Sequence, residues 1–94
     1  MKVRWTEPAL QDFAAAGEYL AERNPLAGAR IERLVMEQLN LLEEFPDLGR
    51  PGRVDGTREL VINETPYVIA YQVRPDSIAI VGFLHGRQRW PKEF

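Results

Sequence analysis

Apolar residues recur at three- and four-residue spacing through the first half of the chain and at alternate positions through much of the second. Val3 and Trp5 alternate with Lys2 and Arg4, which predicts a short opening strand over residues 2–5. Thr6 is suited to cap a helix and Glu7 and Pro8 to fill its first turn. Leu10, Phe13, Ala14, Gly17, Leu20 and Ala21 then mark one face of a helix over residues 7–23. Asn24-Pro25 stops that helix and starts a second, whose apolar face carries Ile31, Leu34, Val35, Leu39, Leu42 and Phe45 until Pro46 and Gly49 end it. So short a junction sets the two helices antiparallel.

From Gly49 to Gly56 the composition shifts to Gly, Pro and Arg, which reads as a loop. Three strand-like runs follow: Thr57–Ile62, Pro66–Val73 with Tyr67, Ile69, Tyr71 and Val73 on one face, and Ser77–Leu84. Asn63-Glu64-Thr65 and Arg74-Pro75-Asp76 supply turns short enough to make an antiparallel meander. The predicted architecture is α+β in the order β-α-α-β-β-β, a helix hairpin packed on one face of a mainly antiparallel sheet. With 94 residues there is room for one core, so residues 1–94 are read as a single domain.

Composition narrows the chemistry. Apolar residues make up 45% and charged residues 28%, the balance of a packed domain rather than a disordered chain. No apolar run approaches the roughly 18 residues of a membrane span. An acid and a proline interrupt the opening segment before a secretory h-region develops, so the expected address is the cytoplasm, with no membrane partner. The absence of cysteine removes disulfides, thiol catalysis and Cys-ligated metals, and a single histidine, His85, gives no His-rich metal constellation. No metal or cofactor is expected. Any chemistry must come from arginines, carboxylates, His85 and aromatics.

The net charge of −2 hides an asymmetry. Residues 1–48 hold five Lys and Arg against nine Asp and Glu, whereas residues 49–94 hold seven against five. The second half carries two basic stretches, Arg50-Pro51-Gly52-Arg53 leading to Arg58, and His85-Gly86-Arg87-Gln88-Arg89-Trp90-Pro91-Lys92. Ten of the twelve cations are arginine, the residue suited to planar, bidentate recognition of carboxylate or phosphate.

Four strings in order along these elements carry a resemblance: Leu48-Gly49-Arg50-Pro51-Gly52, Gly56-Thr57-Arg58-Glu59-Leu60, Tyr67-Val68-Ile69-Ala70-Tyr71-Gln72-Val73, and Leu84-His85-Gly86-Arg87-Gln88-Arg89-Trp90-Pro91. Together they resemble the RelE/ParE superfamily of toxins from type II toxin–antitoxin systems, over essentially the whole chain and with the same element order. The resemblance implies a growth-inhibiting toxin, a cognate antitoxin partner in a hetero-oligomer, and one of two targets. RelE-like members cut mRNA on the ribosome, and ParE-like members poison DNA gyrase.

RNA cleavage through a 2′-hydroxyl needs a base, cations around the phosphate and an acid for the leaving oxygen. The candidate set is His85, Arg58 and Arg87. The sequence departs from the nuclease pattern where that chemistry would sit. Glu59-Leu60-Val61-Ile62 and Tyr67-Val68-Ile69 hold no lysine, and His85 is followed by Gly86 rather than tyrosine. The gyrase-directed reading is therefore preferred, with Arg50, Arg53, Arg58, Arg87, Arg89 and Trp90 as candidate target-binding residues and the nuclease as the alternative. Arg58 and the terminal basic segment are expected to share one exposed surface. In the plainer reading Trp5, Tyr67 and Tyr71 belong to the core, Arg58-Glu59 are exposed strand charges, and Glu18, Glu22, Glu32 and Glu37 line solvated helix faces. Trp90 either packs back onto the fold or awaits a partner. The antitoxin is expected to present a C-terminal segment, disordered alone, to the helix hairpin and a sheet edge.

Overall fold

Asn24 closes one helix and opens the next. In the computed structural model, which describes residues 1–94, α1 (Glu7–Arg23) ends with the Asn24 N–H donating to the Leu20 carbonyl. The Asn24 side-chain oxygen accepts from the Ala27 N–H at 3.2 Å, and Pro25 fills the first turn of α2 (Pro25–Glu44). Thr6 does not cap α1 through its side chain. Its hydroxyl instead donates to the Ile80 carbonyl at 2.8 Å, pinning the start of the helix to the sheet.

The sheet contains β1 (Lys2–Trp5), β2 (Arg50–Pro51), β3 (Arg58–Val61), β4 (Tyr67–Val73) and β5 (Ser77–His85), in the spatial order β1-β5-β4-β3-β2. The last three form the expected meander. β1 pairs parallel with β5, Lys2 opposite Ser77 through Trp5 opposite Ile80. The two-residue β2 lies inside the segment read as loop and pairs Arg50 with Glu59 and Pro51 with Arg58. No alternation announces so short a strand, because its pairing is decided by Glu59 across from it. Strand β1 forms one edge, and its outward Val3 N–H donates to the Glu43 carboxylate at 2.8 Å.

The helix-facing core holds Val35, Leu39 and Leu42 from α2 against Leu60, Ile69, Tyr71, Ile78, Ile80 and Phe83 from the sheet. A run of aromatic contacts crosses it, Trp5 on Phe13 at 5.1 Å, Phe13 on Phe83 at 5.0 Å and Phe83 on Tyr67 at 4.9 Å between centroids. The rear face is also apolar: Ala70, Ala79, Val81 and Leu84 are buried, and Trp90 packs against them. The segment after β5 therefore folds back over the sheet as a third, thin layer. A Cβ added at Gly82 would lie 2.8 Å from the Phe94 ring, so glycine there admits the close approach of the tail. A bulge between Ala70 and Tyr71 keeps both faces in phase, pairing Ala70 with Gly82 and Tyr71 with Ile80.

Tyr71 joins the helical layer to the sheet. Its fully buried hydroxyl donates to the Pro46 carbonyl at 2.8 Å and accepts from the Gly49 N–H at 2.8 Å, which fixes the exit from α2. Burial pushes this phenol above its ordinary value, although the Gly49 N–H and the Arg58 charge pull the other way. A Cβ at Gly49 would sit 2.7 Å from the Glu59 carbonyl oxygen and from the Tyr71 ring. Tyr71→Phe leaves two backbone groups unpaired, and a loss of about 1–3 kcal/mol is expected, read as a lower urea midpoint at unchanged slope.

Candidate target-binding surface

Glu59 stands in the middle of the second half's arginines. Its position opposite Ala70 turns its side chain to the rear of the sheet, where only 3% of the residue is exposed. A carboxylate so buried stays charged only if paired. It accepts from the Arg53 backbone N–H at 2.7 Å, from Arg53 Nε at 3.0 Å and Nη2 at 3.2 Å, and from Arg50 Nη2 at 3.0 Å. The Arg53 guanidinium in turn lies over the Trp90 ring, 3.6 Å from its centroid. Arg50, Arg53 and Trp90 are thus brought together around one carboxylate.

Arg58 is not part of that group. One position along β3, it shares a face with Tyr71, and Nη1 donates to the Gly49 carbonyl at 2.6 Å while Nη2 lies 3.6 Å from Asp47 Oδ1. The expected common surface for Arg58 and the terminal segment is not formed: Arg58 turns to the helix side, and the tail crosses the rear. The physical reason is the period of a strand, which sends Arg58 and Glu59 to opposite faces.

His85 ends β5 opposite Tyr67, with its ring edge-on to that tyrosine at 5.8 Å. Its Nδ1 accepts from the Arg87 N–H at 3.1 Å, and its own N–H donates to Gln88 Oε1 at 2.7 Å, closing a tight turn. The registers Arg58–Tyr71 and Tyr67–His85 set Arg58 and His85 four residues apart along β4 and two strands apart across it, a Cα separation of about 16 Å. Arg87 and Arg89 are exposed on the turn and tail and belong to no ion pair. Beside His85, a groove of about 520 Å³ runs between α1 and the end of the sheet, lined by Asp12, Tyr19, Leu20, Tyr67 and Gln88 among others. No group of three or more His, Asp or Glu side chains converges in a metal-holding arrangement.

Residues 3–90 match the family described as ParE toxin of type II toxin-antitoxin system, parDE. The chain belongs to this toxin family. Among the relatives of this ParE-family toxin, Y4kP of Sinorhizobium fredii is 37% identical over 91 residues, covering 97% of this chain and 94% of that one. Toxin RelE2 of Caulobacter vibrioides is 36% identical over 84 residues, covering 89% and 93%. Among solved structures, the chromosomal ParDE toxin–antitoxin system from P. aeruginosa superposes with a TM-score of 0.81 over 90% of this chain and 95% of that one. At 24% identity that likeness concerns the fold, two helices against a mostly antiparallel sheet.

Glu59, which the sequence presents as an exposed strand charge, is buried. Its signal was a lone carboxylate in an apolar strand directly after an arginine-rich loop. Burial by itself raises the Glu59 carboxyl, and the hydrogen bonds from Arg53 and Arg50 outweigh it, leaving the group below the usual carboxylate range. A lowered folded-state value means that the stabilisation is present above the unfolded carboxyl value of about 4.3 and is lost as pH falls through the folded value. Glu59→Gln is expected to lower stability at pH 7 by about 1–3 kcal/mol and to flatten the acid limb of a stability-against-pH curve, measured by urea unfolding.

Proposed function

We propose that this toxin is a ParE-like inhibitor of DNA gyrase, neutralised by a cognate antitoxin. The observation that carries this reading is the separation of the groups an RNA-cleaving site needs side by side. Arg58 is engaged by Asp47 and the Gly49 carbonyl, its Cα about 16 Å from that of His85, and the His85 Nδ1 is occupied by the Arg87 N–H. Held by these separate partners, the Arg58 guanidinium at the α2 exit and the His85 ring at the end of β5 do not converge on one phosphodiester, and general-base catalysis needs hydrogen-bond reach. Inhibition by binding needs only a stable surface, and the tail held by Trp90 and Arg53 supplies one with Arg87 and Arg89 exposed on it.

The antitoxin is proposed to cover the helix hairpin and the groove beside Tyr67 and His85 with an extended or helical segment that orders on binding. The half-exposed Tyr19 and the neighbouring Leu20 give such a segment apolar contact area there. The RelE name of the Caulobacter relatives favours a second reading, a ribosome-dependent mRNA endoribonuclease using Arg58, His85 and Arg87.

One pair of assays separates the two. Purified toxin added in excess to gyrase and relaxed plasmid is expected to abolish supercoiling and to trap protein-linked DNA breaks, and His85→Ala is expected to retain both effects. Normal supercoiling, together with cuts in translated mRNA that disappear in Arg58→Ala and His85→Ala, would replace this reading with the nuclease.

A further inference from the structure

The small net charge of the toxin conceals two faces of opposite sign. Residues 7–47, which comprise the helical layer and its exit, hold nine acids against three arginines, a net of −6. The rear face of the sheet, its flanking turns and the tail hold eight cations against Asp55, Glu59, Asp76 and Glu93, a net of +4. Strand registers fix this arrangement. Lys2 and Arg4 lie opposite Ser77 and Ala79, and Ala79 belongs to the rear cluster, so both point to the rear. Arg74 donates to Gln72, which is also opposite Ala79. The turn after β5 adds Arg87 beside this face, and the tail adds Arg89 and Lys92 on either side of Trp90. These six cations are exposed and form no ion pair, while Arg50 and Arg53 are held by Glu59.

We propose that this rear face binds the phosphate backbone of duplex DNA, so that the toxin engages gyrase together with its DNA. The inference deepens the gyrase reading and rests on it. The chemistry favours a duplex over other polyanions. An acidic peptide needs pockets or a free strand edge, but Trp90 and Phe94 already cover the apolar strip of this face, and the outward Val3 N–H is taken by Glu43. A single strand needs aromatic platforms for its bases, yet the Trp90 ring is covered by Arg53. A duplex backbone needs only unpaired cations on an accessible surface. The acidic helical layer on the opposite side orients the toxin, because it is repelled by the same phosphates.

The test is fluorescence anisotropy of a short labelled duplex of arbitrary sequence, titrated with the whole toxin at salt between about 50 and 200 mM. Engagement of four to six cations gives a log–log salt slope of about −4 to −5, or a 10²- to 10³-fold loss of affinity across that range. Arg4→Ala with Arg74→Ala is expected to make the slope shallower by about 2, whereas Arg23→Ala with Arg33→Ala, equal in charge but on the helical layer, leaves it unchanged. Three outcomes would overturn the proposal: no binding at the lowest salt, equal effects of the two double variants, or binding of poly-glutamate but not of the duplex. A parallel supercoiling assay keeps the two readings apart. Gyrase inhibition without DNA binding sinks this inference alone, whereas rear-face DNA binding without gyrase inhibition overturns the gyrase reading and, with it, the joint engagement of gyrase and DNA, leaving only the duplex-binding face.

Discussion

The exposed chemistry of this toxin hangs on one buried carboxylate. Glu59 is inserted into a strand whose rear-face neighbour, Ala70, is fully buried, and it remains ionised there because Arg53 and Arg50 surround it. The same contacts pair β2 with β3 and position Arg53 over Trp90. Through that ring they hold the segment following β5 against the sheet. A surface loop, an edge strand and the terminal segment are thus organised from a single point, which explains how a segment with little regular structure keeps a defined path.

A second constraint works on the other face. Tyr71 stitches the end of the helical layer to the sheet through Pro46 and Gly49, and Arg58 reinforces it by reaching the Gly49 carbonyl. Arg58 thereby contributes to the architecture of the α2 exit. The strand period sends Arg58 to the helix side and Glu59 to the rear, and the same alternation in β1 turns Lys2 and Arg4 to the rear. The polarity of the whole molecule combines this placement with the nine acids of residues 7–47.

The elements were legible in the sequence because each carries its own local signal. Asn24-Pro25 marks a helix junction with two residues, and the alternation of Tyr67, Ile69, Tyr71 and Val73 marks a strand face. Helix α1 is observed over the residues that the spacing of Leu10, Phe13 and Leu20 predicts. What local pattern does not carry is partnership. The parallel pairing of β1 with β5 links residues 75 positions apart, and nothing near Lys2 announces Ser77. The burial of Glu59 and the stacking of Arg53 on Trp90 are likewise long-range facts. Arg58 and the terminal segment lie on different faces for a related reason, since the faces of β3 are distinguished only once its partner strands are known.

The pairing of the first strand with the last has a kinetic side. At about 5–20 residues per second the stretch from Lys2 to Ile80 takes some 4–16 s to synthesise. Throughout that interval β1 has no partner, because β5 closes only after Ser77 to Ile80 have emerged. The sheet therefore closes only after both helices and the other strands have been made. Until then the apolar face of the helix hairpin has no complete sheet to cover it.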